Sequence, residues 1–544
     1  MSKKISTLIF LGAGATADLG FPTTYHQEKF FKALIEDSFL KGKNLSIEER
    51  LKRSGIEDKE IIEDFKQTLL LLMDGDGKQS EIDAIKSKEK AEKKFFTDIE
   101  KIFKIPNIKY KLKHYLNIYF YPYYDWLAFK SIYVELLNCS DNVKLHHVLS
   151  VIIKALADNV SLPTKELFCK EKKYTLPTYL NYKQRLEGAI RAYKLLIFKL
   201  FKHSFRKLGK KNIKLYEKFF KESLKEICDF EIIPKESKIL KENFISHLSY
   251  ATLNWDPITP FYLFKLAKVI NESLNKGKIY ISHGVPFIIY KLSGKENIGY
   301  TMEENSAFFM NLFALEKRFK DIFIKIVKLF VPHGLINLRV CPRCQSVFLI
   351  FPCDVGELSL ERLEDLFLLD PLPTSSDLKL IKNRKYKNYP LNENWLPSKI
   401  KCPECGIDTF FFDTFMTIQS IFKIDKSPLM EKVYFDYANT ASKAKHLIFI
   451  GYSFPDDDIT HLLNLLTMNT GLCEERKVTL ILKDDRYKRK IWYSLNEIKD
   501  KAKDGIRKTL LNASLIAKEN NIRVSFLGFP QILEKINVKD ILYW

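Results

Sequence analysis

Four of the nine cysteines fall in two C-x-x-C pairs, Cys341-Pro342-Arg343-Cys344 and Cys402-Pro403-Glu404-Cys405. Four thiolates paired in this way supply the closed tetrahedral shell of a structural Zn²⁺. An odd cysteine count in so long a chain does not read as a disulfide framework. The stretch between the pairs is longer than a simple ribbon needs, so the chain must leave the knuckle and return, within a zinc-ribbon subdomain at 335–410. Cys353 reads as a core thiol. His333-Gly334 lies between an apolar run and the first knuckle. A histidine there suits a general base, and the glycine lets a ligand approach closely. His283-Gly284 is a second such pair without downstream cysteines, and is the runner-up for the base.

Three further constellations end apolar runs. Gly12-Ala13-Gly14-Ala15-Thr16, closing with Gly20-Phe21-Pro22, follows the run at 8–11. Closely spaced glycines let backbone N–H groups meet a pyrophosphate, although the spacing is not G-x-G-x-x-G and a plain β–α turn is the alternative. Thr252-Leu253-Asn254-Trp255-Asp256 ends the run that starts at 249, where an open α/β sheet keeps its ligands. A turn with a helix cap before Pro257 is the alternative. Gly451-Tyr452-Ser453-Phe454-Pro455 ends the run at 447–450 and leads into Asp456, Asp457 and Asp458. Successive aspartates point in different directions, and acidic residues favour a helix N-terminus. They are read as capping and ribose contacts rather than as a metal site. Asp-x-Asp-Gly within 73–77 lacks the later ligands of a calcium loop and reads as a turn.

The elements that hold these residues follow from pattern. Short apolar runs at 8–11, 249–256, 278–282, 329–332, 447–450, 478–482 and 524–527, separated by helical stretches, mark an α/β parallel sheet. From 25 to 244 the spacing is three and four, as in Tyr193, Leu196, Ile197 and Leu200, so this segment is a helical insertion splitting one domain made of 1–24 and 245–544. The 544 residues are 46% hydrophobic and 28% charged, the balance of a soluble globular protein. The formal net charge of +21 makes nucleic acid or another polyanion a possible partner, although no single block carries the excess. No apolar run is long enough to span a membrane. The short stretch after Lys3 and Lys4 runs straight into the glycine turn, so it is not read as a leader. The expectation is a cytoplasmic protein.

In this order the four motifs resemble the sirtuin family. The G-A-G-x-[ST]-x-x-x-G-x-P opening matches Gly12 to Pro22, and T-x-N-x-D matches Thr252, Asn254 and Asp256. The His-Gly before a zinc ribbon matches His333-Gly334 with Cys341, Cys344, Cys402 and Cys405, and the glycine–x–serine strand end matches Gly451 and Ser453. The resemblance implies a Rossmann-like NAD-binding sheet beside a small zinc domain. It implies that Gly12, Ala13, Gly14, Thr16, Gly20, Pro22, Gly451 and Ser453 line the cofactor site. Asn254 would position ribose and water, Asp256 would hold the nicotinamide carboxamide, and His333 would act as general base.

Two departures shift the expected acceptor. Thr23-Thr24 stands where deacylating sirtuins carry Phe-Arg. The stretch Phe410-Phe411-Phe412-Asp413-Thr414-Phe415-Met416 lacks the Phe-Gly-Glu strand that pairs with an acyl-lysine peptide. The sequence then looks closest to sirtuin-like bacterial anti-phage defence proteins, which look like NAD hydrolases that deplete the cofactor. The expected activity is cleavage of NAD⁺ to nicotinamide and ADP-ribose, with Zn²⁺ structural. A homo-oligomer or partner protein would hold the activity in check. A deacylase or ADP-ribosyltransferase with an unusual acceptor groove, and a non-catalytic NAD- or ADP-ribose-binding subunit, are the alternatives.

Overall fold

The computed structural model describes residues 6–39, 45–72, 81–103, 107–140, 142–160, 162, 182–208, 210–228, 245–274, 277–282, 287–291, 323–353, 359–384, 399–417, 420, 428–455, 458–466 and 475–544. The turn at 73–77, His283-Gly284, Asp456 and Asp457 lie outside the described residues.

In chain order the strands begin with β1 (Thr7–Leu11), β2 (Ile245–Thr252), β3 (Gly277–Ser282), β4 (Phe287–Lys291), β5 (Phe323–Phe330), β6 (Gly334–Val340) and β7 (Val347–Phe351). They continue with β8 (Ile400–Lys401), β9 (Asp408–Thr409), β10 (Thr414–Met416), β11 (His446–Ile450), β12 (Lys477–Ile481), β13 (Tyr493–Ser494) and β14 (Ile522–Ser525). The Thr-Leu-Ile-Phe-Leu of β1 is buried at every position, as a strand must be when it is paired on both edges and covered on both faces. Leu8 sits opposite Ser249 of β2 and Leu447 of β11, and both pairings are parallel. The main sheet has the order β13-β14-β12-β11-β1-β2-β5-β3. Its pairings are parallel except at the short edge strand β13. The chain therefore builds one side of the sheet through β2, β5 and β3, then crosses β1 to lay down β11, β12 and β14. The order reverses at β1, the point at which an open α/β sheet ordinarily keeps its ligand crevice, at the carboxyl ends of the strands.

The apolar runs read from the sequence correspond to β1, β2, β3, β5, β11, β12 and β14. The one at 329–332 catches only the end of β5. Lys325 and Lys328 interrupt the earlier half, and Lys328 Nζ is held by Asp436 at 2.7 Å.

Between β1 and β2 the described residues form helices from Thr24–Phe39 to Lys210–Ile227 and no strand. The insertion shares one core with the rest of the protein. Phe198 packs on Phe367 and Phe411, and Phe201 on Trp255. The face of helix Tyr182–Phe205 carrying Lys199, Lys202 and His203 also turns inward, because its charges meet partners distant in sequence. Lys199 Nζ donates to Asp64 at 2.7 Å and Asp370 at 2.8 Å. Lys202 Nζ donates to Asp370 at 2.6 Å and Asp377 at 2.9 Å. Both lysines are fully buried, which a charge tolerates only when paired and hydrogen-bonded. Asp370 and Asp377 belong to the excursion between the cysteine pairs, with its helices Leu360–Leu363 and Ser375–Arg384. The network thus latches that excursion to the insertion.

A second sheet has the order β10-β6-β7-β4, and β8 and β9 form a separate hairpin. Among the described residues no helix is long and apolar enough to cross a membrane.

Candidate active site and metal centre

The two C-x-x-C pairs sit in matching turns. Cys341 to Cys344 join β6 to β7, and Cys402 to Cys405 join β8 to β9. In the first turn the Cys341 N–H donates to Ser346 O and the Gln345 N–H back to Cys341 O. In the second the Cys402 N–H donates to Ile407 O and the Gly406 N–H to Cys402 O. The turns face each other with Cys341 Sγ 3.5 Å from Cys405 Sγ and Cys344 Sγ 3.6 Å from Cys402 Sγ. A Zn–S bond of about 2.3 Å makes the edge of a zinc tetrahedron about 3.8 Å, so the four sulfurs are spaced to take such an ion. Cys353 is buried away from this group.

The other predicted residues gather at the carboxyl ends of β1, β2, β5 and β11. The Gly12 N–H donates to Ile450 O at 2.9 Å, and the Gly14 N–H to Gly451 O at 2.8 Å. The turns after β1 and β11 pack backbone on backbone. Gly451 has φ +61°, and a Cβ there would lie 2.0 Å from Ala15 N. A side chain on Gly12 or Gly14 would strike the Gly451 carbonyl at 2.7 or 2.8 Å. This contact alone accounts for the three glycines. Ala13, Gly14 and Pro22 are partly exposed, and Gly20 and Ser453 are exposed.

The Leu253 N–H donates to Leu11 O, which carries the end of β2 alongside β1 and delivers Asn254 to the turn. Asn254 Nδ2 donates to Gly12 O at 2.9 Å and to Thr16 Oγ1 at 3.3 Å. Since the Gly12 carbonyl can only accept, the amide orientation is fixed. Asn254 Oδ1 is left buried and without a hydrogen-bond partner among the described residues, a state that calls for an explanation. Thr16 Oγ1 donates to Asp256 Oδ2 at 3.0 Å, while Asp256 Oδ1 accepts from the Ile258 N–H at 3.1 Å. Burial pushes the Asp256 carboxyl up to about 6, against these donors. Asp256 therefore brackets Thr16 and the start of helix Ile258–Ser273, with both of its oxygens engaged.

His333 follows β5. Its Nδ1 lies 3.0 Å from Leu253 O, next to Asn254 in the chain. Its own carbonyl accepts from the Thr417 N–H, and Thr417 O accepts from Trp255 Nε1 at 3.2 Å. Gly334 has φ +71°, and a Cβ there would lie 2.2 Å from Phe415 O. The glycine after the histidine is thus required by the close approach of β10, which pairs antiparallel with β6 beside it.

Two further residues complete the cluster, of which His461 is not singled out from the sequence. His461 Nε2 lies 2.8 Å from His333 Nε2, and Asp458 Oδ1 lies 3.2 Å from the same atom. Tyr452 Oη donates to Asp458 Oδ2 at 3.2 Å. Asp458 was read as a cap or ribose contact, and the structure sets it against the histidines instead. The available signal was Asp458 and His461 three residues apart at a helix start, which puts them on one face.

A cleft of about 530 Å³ lies elsewhere, between insertion and ribbon, lined by Ile153, Arg191, Lys194, Phe412, Thr414 and Phe415 among others. It is not lined by Asn254, His333 or the glycines. No protein-family model matches this chain, and a search of curated proteins gave no match.

Proposed function

We propose that the protein is a sirtuin-like NAD⁺ glycohydrolase that cleaves the nicotinamide–ribose bond to give nicotinamide and ADP-ribose. The observation that carries this reading is the buried, unpartnered Asn254 Oδ1, held where the strand order reverses and one residue from the carbonyl that orients His333. Breaking the bond leaves an oxocarbenium-like carbon, so a water or ribose hydroxyl must be oriented and one proton removed. Asn254 Oδ1 is the free acceptor that can orient it, and His333 the base that can take the proton. Thr16 and Asp256 hold Asn254 in place. The Gly12 and Gly14 N–H groups are already bonded to the turn after β11, so a pyrophosphate would lie over the partly exposed turn at Ala13. The four cysteines would hold a structural Zn²⁺ that ties the two hairpins together and takes no part in the reaction.

Water as acceptor is supported by the fate of the segment where a deacylase keeps its Phe-Gly-Glu strand. Phe410 and Phe412 stack on Tyr119 and Tyr123 of the insertion, with ring centres 4.8 and 4.1 Å apart. One observation favours a second reading: the 530 Å³ cleft runs beside Thr414 and Phe415, so a protein or acyl-peptide acceptor could dock there.

The test is to incubate the purified chain with NAD⁺ and resolve the products, with and without acylated peptide. Consumption without peptide, lost by about 100-fold or more in Asn254→Ala and His333→Ala, supports hydrolysis. Turnover that requires the peptide, with O-acyl-ADP-ribose as product, contradicts it.

A further inference from the structure

Three ligand-type atoms from two distant parts of the chain converge beside the crevice. His333 Nε2 lies 2.8 Å from His461 Nε2 and 3.2 Å from Asp458 Oδ1, and His461 Nε2 lies 3.9 Å from that oxygen. The three residues are 8%, 2% and 5% exposed. His333 and Asp458 are each held from behind by a hydrogen bond, and His461 is held by ring packing. The Leu253 carbonyl can only accept, so the proton lies on His333 Nδ1, and in the neutral ring Nε2 presents its lone pair to the cluster. Tyr452 Oη holds Asp458 Oδ2 and leaves Oδ1 toward the rings. The rings of Tyr434 and Tyr437 pack on His461 with centres 5.5 and 5.4 Å away. Carbonyl and hydroxyl partners behind imidazole and carboxylate groups are what metal ligands ordinarily have.

We infer that His333, His461 and Asp458 form a second metal site, separate from the four cysteines, for a divalent first-row ion such as Zn²⁺. A hydrogen bond between the two rings accounts for one of the three distances, whereas a cation accounts for all of them. Two imidazoles and one carboxylate are the donor set such ions take with further positions left open. With Zn–N bonds of about 2.0 Å the two nitrogens would stand about 3.3 Å apart, so the rings need to part by roughly half an ångström. Occupancy does not depend on what the crevice binds. Its consequence does rest on the NAD⁺ reading: a His333 whose lone pair is bonded to metal cannot accept a proton, so the ion would hold the enzyme off.

The experiment loads the purified full chain with Zn²⁺, removes loosely held ion by gel filtration and counts metal per chain. The expected result is about two ions in the wild type, and about one in His461→Ala and in Asp458→Asn. Substitution with Co²⁺ adds a readout that needs no variant. The cysteine site gives intense sulfur-to-metal charge transfer at the first equivalent, and the second equivalent should add only weak ligand-field bands. One ion per chain in the wild type, or two in both variants, overturns the site. Two ions in the loaded protein, with no NAD⁺ cleavage even after the second ion is removed, leave the site standing and contradict the NAD⁺ reading. Zinc inhibition in a protein that holds a single ion overturns the site and spares that reading.

Discussion

Asp256 is a carboxyl whose hydrogen bonds do not repay its burial. Its ordinary value in an unfolded chain is about 3.9, and in the fold it is pushed up to about 6. Below the lower value neither state is ionised. Above the upper one both are, and only the folded state bears the cost of a buried anion. Stability contributed by this residue is therefore present at low pH and lost as the pH rises through about 6. Two units correspond to up to about 3 kcal/mol. Asp256→Asn should raise the melting temperature at neutral pH and give little gain near pH 4 (the lower limit of that window). A uniform shift across this range would contradict the burial argument. Asn254, Asp256 and His333 could be picked out from the sequence because each sits at the end of an apolar run, where α/β sheets keep polar groups. His461 is harder to pick out: its one cue is the three-residue spacing from Asp458, and it lies in a leucine-rich helix where a lone histidine reads as core.

At the scale of elements, two contacts decide whether the site assembles. The first is the packing of the turn after β11 on the turn after β1. Gly451→Ala puts a methyl group 2.0 Å from Ala15 N at a positive φ, so backbone must move. A loss of more than about 1–2 kcal/mol is expected, from the left-handed backbone alone, and is checked by chemical denaturation. The second is the latch between helix Tyr182–Phe205 and the excursion of the ribbon. Lys202→Met would leave Asp370 and Asp377 buried without one of their cations, at a cost of about 3–5 kcal/mol. Asp377 is held down to about 2, with burial opposed by the Lys202 and Arg206 charges. Its contribution is thus fully present above about 3.9 and fades as the pH falls toward 2. The lysines of this face read in sequence as solvated, because their partners lie in a segment more than a hundred residues away. Parallel strands were legible because continuous apolar runs admit few other readings. The short strands of the ribbon, such as β8 and β10, carry no such run.

At the scale of the molecule, the insertion, the ribbon and the sheet share one core, so the zinc knuckle is tied to the crevice by packing. Trp255, beside Asn254, donates to Thr417 O just past β10, and β10 pairs with β6. Replacing Cys402 with serine, which leaves the His333 cluster intact, should lower the melting temperature and weaken NAD⁺ turnover together. Loss of neither would detach the knuckle from the site. An NAD⁺ hydrolase without restraint would harm its own cell, so on the proposed function the helical insertion is the candidate surface for control by a partner, a second copy or nucleic acid. The charge of +21 first pointed to nucleic acid for the whole chain. On the proposed function the same charge would equally attract an anionic dinucleotide. The most direct test of the central claim is NAD⁺ consumption by the purified chain, with and without added nucleic acid and without acylated peptide. The account predicts equal amounts of nicotinamide and ADP-ribose, abolished by Asn254→Ala. Intact NAD⁺ under every condition, or cleavage unaffected by that substitution, would contradict it.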